Sequence, residues 1–439
     1  MNTLNIIGVV ILVSVSIGTV YFYIFNSRDF YDVSYSPDSG GSEDHILEKA
    51  RKMIIQSIRG SNITSQPVIA NKRNDLLYNK QNTPSLQKKS IRDRLGMIAY
   101  IPHSLQHAHQ FLVLLHGSWK YIVDHQKELF PNNNNLDSLN DLDLLAFCHP
   151  SICKELAHVC TVISNLQEIT ATTVQRCWAV IQPFEIDIPY GPLNSFIMFN
   201  RTDIGELKTR YKYILRTDND VFVTPAMFKL KPKVFLHGHG GYSDPFNMAR
   251  LKQVAARLHM THRGRHAIGS TWCGETAQFL KLAKRTLEVT RYVWLNEFDP
   301  NAKGLETIPF DKNREGEWIR WWRPVSLLYG GEITLNHMIT DISEKNQGKF
   351  DSSSCDTVSV WTTPHIHCWH NDCEFQKFKF SKYLNIAIYG RASETLPGTI
   401  VHRIVENIYS QDVSKMNLQQ YSQYIAWNSV SKYLRKRFV

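Results

Sequence analysis

The chain has 439 residues, a formal net charge of +10 and 43% hydrophobic residues. The basic balance raises nucleic acid as a partner, but the aromatics do not interleave with Lys and Arg as in an RNA-binding module, so no nucleic acid is expected. The charge reads instead as a mildly basic surface suited to polyanionic nucleotides. The chain has no internal repeat, no Walker or G-x-G-x-x-G pattern and no C-x-x-C pair, which argues against solenoid, P-loop, dinucleotide-binding and zinc-ribbon readings.

Ile6 to Phe25 is twenty residues without a charge. As a helix it would be about 30 Å long, enough to span a bilayer. No Lys or Arg precedes it and the run is long, so it reads as an uncleaved anchor rather than a cleaved signal peptide. This divides the chain into a tail (1–5), an anchor (6–25), a polar stem (26–90) with few long apolar runs, and a domain (91–439). Arg28 follows the span, and the positive-inside rule gives little help with orientation. Asn62-Ile63-Thr64 and Asn200-Arg201-Thr202 are glycosylation acceptor patterns, and all eight cysteines follow the span. Both point to a lumenal, oxidising compartment.

Within the domain, Leu95–Ile101 reads as a strand, 108–123 as helical, Leu142–Cys148 as a second strand and 152–162 as a helix. Asp141-Leu142-Asp143 reads as solvated acids near a helix. A short helix over 204–212 feeds a strand that ends in Asp218-Asn219-Asp220. The pattern then gives a loop over 264–274, a helix over 275–295, a helix over 325–339, a short strand over 365–369 and a C-terminal helical extension. Strand–helix alternation predicts an α/β fold, a mostly parallel sheet flanked by helices, with ligands beyond the carboxyl ends of the strands.

Asp218 and Asp220 are flanked by the apolar runs Tyr213–Leu215 and Val221–Val223. Two aspartates at i and i+2 on a strand point to one side and can reach one divalent cation. A hard cation held by so few carboxylates completes its shell with phosphate oxygens and water. His365, His367 and His370 lie close together, and imidazole can complete such a site; His367, in mid-segment, is the expected ligand. Gly269, Ser270, Thr271 and Trp272 are read as a ligand-approaching loop, or else as a helix cap with a buried Trp. Glu332 is a carboxylate in an apolar, glycine-containing helix. It is either paired with a cation such as Arg323 or is a general base of raised pKa, or an anchor for a hydroxyl.

The segment Leu215-Arg216-Thr217-Asp218-Asn219-Asp220-Val221-Phe222-Val223 resembles the acidic motif of GT-A-type glycosyltransferases. More closely, Arg216–Pro225, Arg263–Gly274, Trp318–His337 and Pro364–His370 resemble an uncharacterised eukaryotic family of predicted nucleotide-diphospho-sugar transferases. The resemblance implies a GT-A-type fold and transfer of a sugar from a nucleotide-diphosphate donor to a glycan, protein or lipid hydroxyl. It implies Mn²⁺ or Mg²⁺ on Asp218, Asp220 and a histidine of the 365–370 segment. Arg216, Gly269, Ser270, Thr271 and Trp272 would line the donor pocket. An inverting reaction would need a carboxylate base such as Glu332 or Asp372. A single-pass Golgi or endoplasmic-reticulum protein with a lumenal domain is implied with it. The alternatives are an inactive binding or scaffold protein of the same fold, and a metal-dependent phosphodiesterase.

Overall fold

Buried apolar runs build the molecule, because strands covered on both faces need no polar alternation. A computed structural model describes residues 94–131, 141–170, 175–182, 191–298, 321–342, 350–368, 373, 375–389 and 412–438. The strands are β1 (Leu95–Ile101), β2 (Leu142–Cys148), β3 (Thr161–Ile163), β4 (Cys177–Ile181), β5 (Tyr213–Thr217), β6 (Val221–Val223), β7 (Leu236–His239), β8 (Ile268–Glu275), β9 (Asp351–Ser353) and β10 (His365–His367). The helices of about two turns or more are α1 (Leu105–Val113), α2 (Leu115–Asp124), α3 (Pro150–Leu156), α4 (Pro245–Arg257), α5 (Thr276–Asn296), α6 (Ser326–Met338), α7 (Lys377–Tyr389) and α8 (Leu418–Phe438).

Seven strands form one sheet in the order β3-β4-β2-β1-β5-β8-β7. The first five are parallel, and β8 runs antiparallel to both β5 and β7. The fold is therefore α/β with a mostly parallel sheet. Alternate residues of β1 supply two cores: Leu95, Met97, Ala99 and Ile101 pack with α1, α2 and α8, while Ile98 and Tyr100 pack with α5. A smaller cluster joins α4, α5 and α6 around Tyr242, Trp321 and Tyr329. Strands β6, β10 and β9 form a second sheet, and the Tyr421 hydroxyl of α8 donates to the Val223 carbonyl of β6 at 2.7 Å.

From β1 the chain works outward to one edge of the sheet through β2, β3 and β4. It then returns to the other side of β1 with β5. Open α/β sheets bind ligands at such a reversal, beyond the carboxyl ends of the strands on either side of it, here β1 and β5. The acidic segment follows β5 directly and so stands at this end of the sheet.

The structure corrects several expectations. The helix read over 152–162 is α3 followed by β3, held against β4 by backbone pairing and the Cys160–Cys177 disulfide. The loop read over 264–274 is largely β8. Its glycines serve close packing: a Cβ on Gly274 would lie 2.4 Å from the Phe235 ring, and one on Gly269 would lie 2.6 Å from the His239 carbonyl oxygen. Asp143 is not a solvated acid. It is buried in β2, with Arg94, the Arg176 N–H and the Tyr211 hydroxyl donating to it, each at 3.0 Å.

Cys148–Cys153, Cys160–Cys177 and Cys355–Cys373 are disulfides, and Cys273 and Cys368 are buried thiols. The anchor and stem lie outside the described residues. Among the described residues no helix is long and apolar enough to cross a membrane.

Removing one partner of a buried ion pair strands the other charge. Asp143→Ala is therefore expected to lower stability by about 3–5 kcal/mol in urea denaturation, and Asp143→Asn, which keeps an acceptor, by less.

Candidate functional site

Thr217 ends β5 because the chain leaves the main sheet there to enter β6 of the second sheet. Asp218-Asn219-Asp220 is thus a bend between two sheets, and not the last residues of a strand as expected. Its side chains are aimed by partners rather than by strand alternation. The Ser270 hydroxyl donates to Asp218 Oδ2 at 2.6 Å, and the buried Arg216 guanidinium is 3.0 Å from Asp218 Oδ1. Arg216 is fixed in turn by the Ser270 carbonyl, the Ser195 hydroxyl and the face of Phe196. The Asn219 amide points away from this pair and donates to the His107 carbonyl at 3.2 Å. Asp220 Oδ2 accepts from Lys377 Nζ at 2.9 Å. Burial pushes the Asp220 carboxyl up, but Lys377 and His367 outweigh it and hold it at about 2.

Strand β10 places the histidines by register: it pairs antiparallel with β6, with His365 opposite Val223 and His367 opposite Val221. His365 is buried, with Nε2 bonded to the Thr217 hydroxyl at 2.7 Å and Nδ1 to Asp351 Oδ1 at 2.9 Å. His367 turns Nε2 toward Asp218 Oδ2 at 3.7 Å and Nδ1 toward Asp351 Oδ2 at 3.8 Å. Burial alone would lower the His367 imidazole. Asp351, with Asp218 and Asp220 behind it, outweighs burial and raises it. His370 and Asp372 lie outside the described residues.

Two carboxylates and an imidazole make a donor set that Mn²⁺ or Mg²⁺ takes. Metal-bound imidazoles commonly give their second ring nitrogen to a carboxylate. His367 stands in that arrangement, between Asp218 and the buried Asp351, whose Oδ2 has no hydrogen-bond partner among the described residues. The donor types suit a cation, but the ligand atoms of Asp218, Asp220 and His367 do not all come within 4.8 Å of one another, and the Lys377 ammonium holds Asp220.

The remaining expected pocket residues separate. Ser270 faces the acidic bend. Trp272, on the same face of β8, is buried among Phe196, Phe235 and Phe279 and donates to the Gly269 carbonyl. It is a core residue and no sugar platform. Thr271 is buried on the opposite face.

Glu332 belongs to a second cluster. Its Oε1 lies 2.6 Å from His266 Nδ1 and 3.2 Å from His262 Nε2, and its Oε2 accepts from the Tyr242 hydroxyl at 2.9 Å. Burial pushes the carboxyl up, and the two histidines and Tyr242 outweigh it and bring it below the ordinary carboxylate range. The expected base of raised pKa is therefore a held carboxylate. Arg323 is not its partner; that side chain stacks on Trp294 and donates to its carbonyl. The glycines before Glu332 bring α6 close. A Cβ on Gly330 would lie 2.2 Å from the Thr290 hydroxyl of α5, and one on Gly331 would lie 2.6 Å from the Trp272 ring.

Sequence reading missed Lys377, Asp351 and Ser195. Each comes from a segment distant in the chain, and no local pattern marks it.

The chain belongs to the family described as a domain of unknown function, DUF7164, which matches residues 89–439. No curated protein matches it.

His365 is the buried tie between Thr217 and Asp351, whereas His367 stands partly open at the bend. Thermal or denaturant melts should find His365→Ala destabilised by about 3–5 kcal/mol and His367→Ala by no more than about 1 kcal/mol.

Proposed function

We propose that this DUF7164 member is a metal-dependent glycosyltransferase of GT-A type, moving a sugar from a nucleotide-diphosphate donor to an acceptor hydroxyl. The observation that carries the reading is the acidic bend at the reversal point of an open parallel sheet, faced by an imidazole backed by a buried carboxylate. Mn²⁺ or Mg²⁺, held by Asp218, Asp220 and His367, would neutralise the charge gathering on the departing nucleoside diphosphate. The chain's own groups prepare for this. Ser270 and Arg216 fix the orientation of Asp218, and Asp351 fixes the ring of His367. Lys377 holds Asp220 and would have to give way to the cation.

A secretory setting, with the domain in the lumen of the Golgi or endoplasmic reticulum behind the Ile6–Phe25 anchor, accords with three disulfides and with Asn200 of the second sequon being exposed. A second reading rests on a specific observation: Arg216 and Lys377 already compensate both aspartates. In a binding or scaffold protein those pairs would be structural and no cation would enter.

The two readings separate by calorimetry with nucleoside diphosphates and Mn²⁺, followed by a nucleotide-sugar panel scored for diphosphate release. Asp218→Ala and Asp220→Ala are expected to abolish Mn²⁺-dependent nucleotide binding in a protein that remains folded by circular dichroism. Affinity unchanged in both variants would refute the transferase reading. Lys377→Met removes the competing ammonium and is expected to tighten Mn²⁺ binding by about 1 kcal/mol, roughly fivefold; weaker binding would mean that Lys377 supports the site.

A further inference from the structure

The second cluster lies on the same edge of the sheet as the acidic bend. Because β8 is antiparallel to β5, with Trp272 opposite Arg216, the amino end of β8 coincides with the carboxyl end of β5. Ser270 of β8 holds Asp218, and His266 lies two residues before the strand begins. His266 precedes Ser270 by four residues, and because Ala267 between them is left-handed the separation is less than the ~13 Å of a fully extended chain. A diphosphate and one sugar ring fill a span of that order.

Helix α6 holds this stretch from one face. Glu332 and Asn336, one turn apart, both reach it. The Asn336 side chain accepts from the Arg263 and Arg265 N–H groups and donates to the Arg265 carbonyl. Between His266 and β8, Ala267 is left-handed at φ 56°, a conformation that costs an L-residue energy and that gathers at functional sites. The Ser243 hydroxyl accepts from its N–H at 2.6 Å and keeps it there.

The hydrogen bonds assign the tautomers. His262 Nδ1 accepts from the Gly264 N–H at 3.1 Å, so its Nε2 carries the proton that goes to Glu332. A protonated Nε2 is no metal ligand. Although His262, His266 and Glu332 converge within 4.8 Å, they therefore read as a hydrogen-bonded relay and not a cation site. His266 gives its Nδ1–H to Glu332, which leaves Nε2 with its lone pair. That nitrogen has no partner among the described residues, and the side chain is 14% exposed. A carboxylate that holds one imidazole nitrogen and frees the other is the arrangement of a general base.

We propose that His266, oriented by Glu332, is the general base that takes the proton of the incoming hydroxyl. The proposal rests on the transferase reading and moves the base from Glu332 to the histidine it holds. In the step, the hydroxyl O–H bond breaks and its proton goes to His266 Nε2. The oxygen forms a bond to the anomeric carbon. The bond from that carbon to the diphosphate oxygen breaks, and its electron pair leaves with the nucleoside diphosphate. The imidazolium formed is balanced by the Glu332 carboxylate. Glu332 is a positioning residue and His266 the catalytic one.

The test uses the full chain with Mn²⁺ and the donor that the panel identifies, scoring transfer and, independently of the acceptor, hydrolysis of the donor by water. His266→Ala should lower kcat by about 10²- to 10⁴-fold, leave donor affinity within twofold of wild type by calorimetry, and regain rate on addition of imidazole. Glu332→Gln should lower kcat without raising the donor KM; if Glu332→Gln fails to fold, His266→Gln replaces it, since that ring is partly exposed and the cluster keeps its carboxylate. A His266→Ala protein with wild-type kcat overturns the proposal and leaves the transferase reading standing. A kcat loss that imidazole does not restore, or that comes with lost donor affinity, overturns it too. Donor binding without any turnover in the wild type counts against the step. Absence of Mn²⁺-dependent donor binding in the wild type overturns the transferase reading and this step with it.

Discussion

The His365 ring fastens the small sheet to the large one. It bonds Thr217 at the end of β5 on one side and Asp351 at the start of β9 on the other, and it is wholly buried. Buried polar groups are costly unless paired, so this chain of bonds is satisfied only in one arrangement of the two sheets. That arrangement puts β10 beside β6, turns His367 toward Asp218, and forces the acidic bend to stand where the chain crosses between sheets. The candidate site is thus a consequence of how two sheets are joined.

Charge compensation explains how the bend tolerates its own repulsion. Asp218 is answered by Arg216 and Ser270 from the large sheet, and Asp220 by Lys377 from α7. Arg216 suits its position because its planar fork serves the Ser270 carbonyl, the Ser195 hydroxyl and Asp218 together while its face rests on Phe196. A lysine there would supply one point charge and lose that geometry. Lys377 is a single flexible ammonium, the kind of partner that can give way to a stronger cation.

The segments 263–274 and 318–337, far apart in the chain, meet as one unit where they are described. Gly330 and Gly331 let α6 approach α5 and β8, and that approach brings Glu332 and Asn336 onto the stretch before β8. The glycines and the glutamate therefore belong to one device. Packing too tight for a Cβ delivers a buried carboxylate to two histidines.

Much of the architecture is written locally. Apolar runs mark β1 and, but for the buried Asp143, β2 residue for residue, and helical periodicity marks α5 and α6 within a residue or so, because burial on two faces or on one stripe leaves its period in the sequence. The acidic segment is legible for the same reason: polar residues between apolar runs need a cause. Short strands such as β3 and β7 carry too few residues to declare a period, and β8 is disguised by glycines that serve packing. Pairing across long separations is decided only by the tertiary structure. Lys377 lies 157 residues from Asp220, and Glu332 lies 66 from His266. A sequence shows which side chains need partners, because burial and charge are local properties, but the choice of partner depends on which elements the fold brings together.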